Sequence, residues 1–220
     1  MLKNMINQET KISSWIKIKK VIDELGDYFF PSFSGNISVR EGGLVFCTPT
    51  SIRKKLLDVE KISVVDLDNN LIDGNKQTSE INLHLEIYRN FDGVNCVVHT
   101  HPLFCCIFSC TKKKIELSLL PEYYLKIKKI VYVKYITPGT KELGIEVVKK
   151  VKKELGNVKE AVVLMRNHGL VVFSDNVDRC VDLSFSCEEI AKINYLLKNF
   201  SKPQRIPPHL LHIIENLYKK

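Results

Sequence analysis

The sequence has no apolar run that approaches the ~20 residues a membrane-spanning helix needs; its longest candidate, Leu103 to Cys110, is far too short. Met1 to Lys20 carries charges throughout and has no uninterrupted apolar region, so it reads as neither a signal peptide nor a membrane anchor. C-x-x-C pairs are also missing: the cysteines at positions 47, 96, 105, 106, 110, 180 and 187 are odd in number and mostly embedded in apolar runs. That pattern argues against a disulfide framework and for reduced thiols packed as small hydrophobes in the cytoplasm. There is no G-x-G-x-x-G, G-x-x-x-x-G-K-[ST] or G-x-S-x-G, so dinucleotide, P-loop and serine-hydrolase readings lack their motifs. No internal repeat or low-complexity tract divides the chain, and 220 residues, 45% hydrophobic, read as one domain over 1–220.

The net charge of +8 could serve nucleic acid, an anionic membrane surface or an anionic small substrate. Its lysines cluster at 112–114, 126–129 and 149–153, in loops or on outer helix faces, and no nucleic-acid-binding motif accompanies them. They read as solvated faces, with neither nucleic acid nor membrane as partner.

Along the chain, Ile12, Trp15, Ile16, Val21, Ile22 and Leu25 recur at helical spacing up to a stop at Gly26. Strand-like runs follow at Ile37 to Arg40, Leu44 to Cys47 and Val64 to Leu67, with a charged helix expected from Lys54 to Lys61. Thr78 reads as the N-cap of a helix carrying Ile81, Leu85 and Tyr88. Later come helices at Leu103 to Cys110 and Lys141 to Leu155, and a strand at Val131 to Val133. The runs Ala161 to Met165 and Leu170 to Phe173 flank a bend, and a long helix from about Asp178 to Phe200 precedes a short one ending at Tyr218.

Chemistry concentrates in three places. In Cys96-Val97-Val98-His99-Thr100-His101-Pro102 the two histidines are two residues apart on a β-branched run, so in a strand their imidazoles share a face and can converge on one metal ion. Pro102 ends that strand and leaves both rings at its C-terminal end. The Arg166-Asn167-His168-Gly169 bend offers a third imidazole. Thr78-Ser79-Glu80 places small polar residues and a carboxylate at a helix start, where free N–H groups favour an anion, and His84 lies one turn further on the same face.

Five blocks, in order, resemble the class II aldolase/adducin family: Ser34-Gly35-Asn36-Ile37-Ser38-Val39-Arg40, Thr48-Pro49-Thr50-Ser51, Thr78-Ser79-Glu80 with His84, His99-Thr100-His101, and Asn167-His168-Gly169. The resemblance runs from about Leu25 to Phe200 and implies a single-domain α/β sandwich, a central mostly antiparallel sheet flanked by helices. It implies one zinc ion on His99, His101 and His168, with another divalent metal as the option, and Glu80 as the acid/base. A substrate phosphate would be held by Gly35, Asn36, Thr50, Ser51, Thr78 and Ser79, with Ser51 standing where the typical aldolase has glycine.

The activity implied is retro-aldol cleavage of a ketose 1-phosphate of the L-fuculose 1-phosphate kind, to dihydroxyacetone phosphate and an aldehyde, through a metal-stabilised enediolate. A pentulose-phosphate 4-epimerase and a ketose-phosphate dehydratase are the alternatives within the family; a non-catalytic adducin-like module would lack the three histidines. The resemblance further implies a homotetramer with sites between subunits, completed by tyrosines of a neighbouring chain: Tyr123 (or Tyr124) and Tyr218 are the matching residues here. The apolar stripe Leu210, Leu211, Ile213, Ile214 and Leu217 before Tyr218 needs a surface to bury it.

Overall fold

The computed structural model describes residues 7–198, 200 and 203–218; the first six residues of the charged N-terminal stretch lie outside them. Among these residues seven α-helices, α1 (Gln8–Phe29), α2 (Ile81–Asn90), α3 (Leu103–Ser109), α4 (Pro121–Ile127), α5 (Lys141–Leu155), α6 (Val177–Leu197) and α7 (Pro208–Tyr218), accompany eight strands. The strands are β1 (Asn36–Glu41), β2 (Leu44–Cys47), β3 (Ser63–Val65), β4 (Leu71–Asp73), β5 (Cys96–Thr100), β6 (Ile130–Val133), β7 (Ala161–Met165) and β8 (Leu170–Ser174). They form one sheet in the order β4-β3-β2-β1-β5-β8-β7-β6. Among the described residues only the β6–β7 pair is parallel, so the expected mostly antiparallel α/β sandwich is what the chain builds.

Strand alternation divides the core. Ile37, Val39, Cys96, Val98, Leu170 and Val172 point to the face covered by α1, α3 and α6. Val97, Val131, Val163, Val171 and Phe173 point to the other, against α2 and α5. Because side chains alternate with period two, Asn36, Ser38 and His99 fall on the α2 side of the sheet. Helix α2 is enclosed almost all round, with only Arg89 exposed. Its polar residues therefore have to be satisfied inside the protein.

Several local expectations change. The charged segment from Lys54 to Lys61 is not a helix beyond one 3-10 turn, Lys54–Leu56, because Lys54 and Leu57 turn inward, leaving no continuous solvated helix face. Gly26, at φ 62 and ψ −169, kinks α1 rather than ending it. Thr78 does not cap α2: Glu80 is the N-cap residue, and Thr78 Oγ1 accepts from Glu80 N (3.3 Å) in the turn before it. Helix α3, which follows Pro102 and has no side-chain cap of its own, is held from a distance: buried Glu188 of α6 accepts from the N–H groups of Phe104 (2.9 Å) and Cys105 (2.8 Å). That carboxylate on the first turn of α3 fixes the chain just beyond His101.

All seven cysteines are free thiols, five of them buried. Among the described residues no helix is long and apolar enough to cross a membrane.

Candidate metal and acid/base site

Strands β1 and β5 pair with Asn36 opposite His99 and Ser38 opposite Val97. This register requires close backbone approach next to Asn36: a Cβ on Gly35, whose φ is 69°, would lie 2.7 Å from the His99 carbonyl oxygen. His101 lies one residue past β5, where its N–H donates to the Phe29 carbonyl (3.0 Å). The bend between β7 and β8 delivers His168, with Asn167 in the left-handed region (φ 51), which asparagine tolerates better than most residues. It is pinned by Arg166 N to Val133 O (2.9 Å) and Asn167 N to Ser109 O (3.1 Å). Glycine at 169 leaves room for a ring, since a Cβ there would fall 2.4 Å from Cδ2 of His101.

The three histidines named from the sequence therefore meet. Each can direct one ring nitrogen to a common point, and these atoms lie within 4.8 Å of one another. The Nε2 atoms of His99 and His101 are 2.9 Å apart. Nδ1 of His99 faces the Leu170 carbonyl oxygen at 2.9 Å; because that oxygen can only accept, Nδ1 carries the proton and the Nε2 lone pair faces the cluster. Glu80 lies against the same point, Oε2 3.2 Å from His99 Nε2 and Oε1 3.1 Å from His168 Nε2. The Oε1 contact is not aligned as a hydrogen bond, and Oε1 and His168 Nδ1 are both buried without a hydrogen-bond partner.

Burial opposes a charge on Glu80, but His99 and His168 outweigh it and hold the carboxyl well below the usual range. Burial likewise opposes a charge on His99, and the Glu80 carboxylate overcomes it to raise that pKa. His101 is pushed down to about 3 by burial and by the two other histidines. Three nitrogen donors, a lone pair aimed inward and an orphaned carboxylate oxygen fit a divalent cation. Its charge would take the place of the proton the cluster otherwise draws to His99.

Of the residues expected at the phosphate, Asn36 and Thr78 contact Glu80, Thr78 Oγ1 accepting from its N–H. Asn36 Nδ2 donates to Glu80 Oε2 (2.9 Å). The Thr50–Ser51 turn is tied to the segment before Glu80 by Thr50 N to Lys76 O (3.1 Å) and by the antiparallel Pro49–Gln77 bridge. Ser51 adopts φ 59, the left-handed conformation that glycine takes without strain. Serine holds it at a cost of about 1 kcal/mol. Lys54, just after this turn, is 6% exposed, and its Nζ donates to the Phe33 carbonyl (3.2 Å); no carboxylate lies within 4 Å of it among the described residues.

The tyrosines do not join the cluster within one chain. Tyr123 donates to Glu189 (2.8 Å), and Tyr124 donates to Glu215 (3.0 Å). Tyr124 also lines a groove of about 540 Å³, with Lys128, Lys150 and Glu154, that contains none of the histidines. Tyr218, at the end of α7, is 72% exposed. Of the α7 stripe only Leu211 is buried, while Leu210, Ile213 and Leu217 remain exposed.

Sequence reasoning missed two polar residues behind the site. Nε2 of fully buried His84 lies 2.6 Å from Asn36 Oδ1, and its Nδ1 lies 2.7 Å from Ser38 Oγ. Ser38 Oγ is 2.7 Å from Tyr88 OH, which also donates to the Ser38 carbonyl (2.9 Å). The signal was there: Glu80, His84 and Tyr88 recur every four residues along α2, and Asn36 and Ser38 share a face of β1.

A family model described as Class II Aldolase and Adducin N-terminal domain matches residues 23–195. An L-fuculose phosphate aldolase of Methanococcus maripaludis is 38% identical over 168 residues, covering 75% of this chain and 86% of that protein. A 3-oxo-tetronate 4-phosphate decarboxylase of Pectobacterium atrosepticum is 30% identical over 200 residues, covering 86% and 88%. Among solved structures, an L-fuculose 1-phosphate aldolase superposes with a TM-score of 0.80 at 24% identity, covering 98% of both chains. The histidine cluster and acidic helix start thus sit in a chain that belongs to the class II aldolase and adducin family.

Proposed function

We propose that the protein cleaves a ketose 1-phosphate of the L-fuculose 1-phosphate kind to dihydroxyacetone phosphate and an aldehyde, using one zinc ion per chain. The observation that carries this reading is the meeting of three histidine nitrogens within 4.8 Å with the Glu80 carboxylate 3.1 and 3.2 Å from two of them. The relatives named as fuculose phosphate aldolases support the same class of reaction. A divalent ion held by His99, His101 and His168 supplies Lewis-acid stabilisation of the negative charge that develops on the substrate oxygens.

The chain's own groups do the rest. Gly35, Asn36, Thr50, Ser51, Thr78 and Ser79 anchor the phosphate, which fixes the distance from phosphorus to the reacting carbons. Glu80 moves the proton at the carbon that becomes the hydroxymethyl of dihydroxyacetone phosphate. At the aldehyde end Tyr123 and Tyr218 of a neighbouring subunit in a homotetramer, whose interface covers the exposed stripe of α7, assist departure of the proton from the hydroxyl that becomes the aldehyde carbonyl.

One observation favours a second reading, decarboxylation of a phosphorylated 3-oxo acid. Loss of carbon dioxide leaves a comparable enolate, and a relative named 3-oxo-tetronate 4-phosphate decarboxylase is 30% identical over 200 residues. The test is to incubate metal-loaded protein with a panel of ketose 1-phosphates, ribulose 5-phosphate and a phosphorylated 3-oxo acid, assaying every product. Dihydroxyacetone phosphate release supports aldol cleavage. Carbon dioxide or an epimerised pentulose phosphate without it assigns one of the other reactions.

A further inference from the structure

Asn36 has two nearly isosteric orientations, and only one of them can serve Glu80. Turned as it stands, its amide gives an N–H to Oε2 of Glu80 at 2.9 Å; turned over, it would set oxygen against oxygen at that distance. With the amide set against Glu80, the groups behind it can be polarised to match. Oδ1 of Asn36 can only accept, so the proton between it and His84, 2.6 Å apart, belongs to Nε2 of His84. His84 is fully buried, which pushes its pKa down to about 3, so the ring is neutral and its Nδ1 accepts from the Ser38 hydroxyl at 2.7 Å. The Tyr88 hydroxyl then supplies the next hydrogen, shared between Ser38 Oγ (2.7 Å) and the Ser38 carbonyl (2.9 Å). Every hydrogen in the chain is directed toward Glu80.

We infer that Tyr88, Ser38 and His84 form a one-directional hydrogen-bond relay that locks the Asn36 amide, so that one N–H holds the Glu80 carboxylate and the other is presented to the substrate phosphate. His84 is in this account a positioning residue, and the inference rests on the proposed roles of Asn36 and Glu80. Asn36, Ser38, His84 and Tyr88 are between 0 and 4% exposed. Each would cost about 1–3 kcal/mol if left unpaired, so apolar packing would suit the position better were stability the only demand. A relay of this kind supplies orientation, which apolar packing cannot.

Two measurements test it. The first is the tautomer of His84, read from the two-bond proton–nitrogen correlations of zinc-loaded protein labelled with ¹⁵N-histidine and assigned through the signals missing from His84→Gln. A proton on Nε2 and none on Nδ1 is expected; a proton on Nδ1 overturns the inference whatever the enzyme's reaction. The second compares His84→Leu, which removes the donor to Asn36, with His84→Gln, whose side-chain N–H restores it. Metal content, melting temperature, calorimetric affinity for inorganic phosphate, kcat and KM are read for both. His84→Leu is expected to keep its metal, to bind inorganic phosphate about 10- to 100-fold more weakly, and to lose kcat, with His84→Gln recovering most of both. A folded, metal-loaded His84→Leu with unchanged phosphate affinity refutes the relay, as does equal loss in His84→Gln. If His84→Leu does not fold, the tautomer alone decides. Absence of turnover on every ketose 1-phosphate would count against the proposed reaction, while the tautomer and phosphate affinity would still report on the relay.

Discussion

Glu80→Gln isolates proton transfer from everything else the carboxylate does. The glutamine is isosteric and can keep its oxygen toward Asn36 Nδ2, 2.9 Å away, while its amide nitrogen takes the place of Oε1 beside His168. The three histidine nitrogens are untouched, so metal content should stay at one ion per chain. What is lost is the group that gives a proton to the future hydroxymethyl carbon in cleavage and takes it back in the reverse direction. A positioned acid/base contributes about 10²- to 10⁴-fold, equivalent to a barrier increase of roughly 2.7–5.5 kcal/mol. The direct assay bypasses the aldehyde: metal-loaded protein is incubated with dihydroxyacetone phosphate in D₂O, and loss of the hydroxymethyl proton signal is followed by NMR. Wild-type protein should exchange that proton stereospecifically, and Glu80→Gln should exchange it at least about 100-fold more slowly, with KM changed only a few fold. Exchange by the metal-loaded variant at close to the wild-type rate would refute the role and move the proton to another group.

Three further outcomes follow from the same geometry. His168→Ala removes one of the three metal nitrogens and should leave folded protein well below one metal ion per chain by elemental analysis; full occupancy would refute the assignment. Lys54 is buried with no carboxylate partner among the described residues, and burial lowers its pKa from 10.5 to about 8. Between those values the unfolded chain binds the extra proton, so this group makes stability rise with pH from about 8 to 10.5 and costs stability below about 8. Lys54→Met should therefore flatten that rise in denaturant titrations and raise the melting temperature at pH 7 by a few degrees, at about 2–4 °C per kcal/mol; an unchanged pH profile would refute the buried charge. Finally, a chain ending at Asn216 should lose turnover while keeping its metal. A truncated tetramer cleaving substrate at the full-length rate would rule Tyr218 out of the site.

Much of this architecture could be read from residue patterns. Helix α5 and strand β7 lie where apolar spacing puts them, because both have one continuous buried pattern and clear ends. His99 and His101 were legible from the period of a strand, and His168 from a bend whose asparagine and glycine each answer a local need, a left-handed φ and a close ring. Legibility failed where tertiary contacts override local signals. Strand β4 is a three-residue edge strand with too few residues for a periodic pattern. The segment from Lys54 looked helical by charge spacing, yet Lys54 leaves the surface to reach the Phe33 carbonyl. Glu188 caps a helix 83 residues away in sequence. The spacing of Glu80, His84 and Tyr88 was legible, but only the packing of α2 on β1 shows that the Ser38 hydroxyl meets His84 and that of Tyr88 meets Ser38.

Zinc dependence of catalysis is read by metal titration. Protein stripped by a chelator is reloaded with increasing zinc, and dihydroxyacetone phosphate release from L-fuculose 1-phosphate and related ketose 1-phosphates is followed at each step. No release is expected from the stripped protein, then a rise proportional to bound zinc and a plateau at one ion per chain. Full release by stripped protein, or none from any of these substrates at one zinc per chain, would contradict the proposed zinc-dependent cleavage.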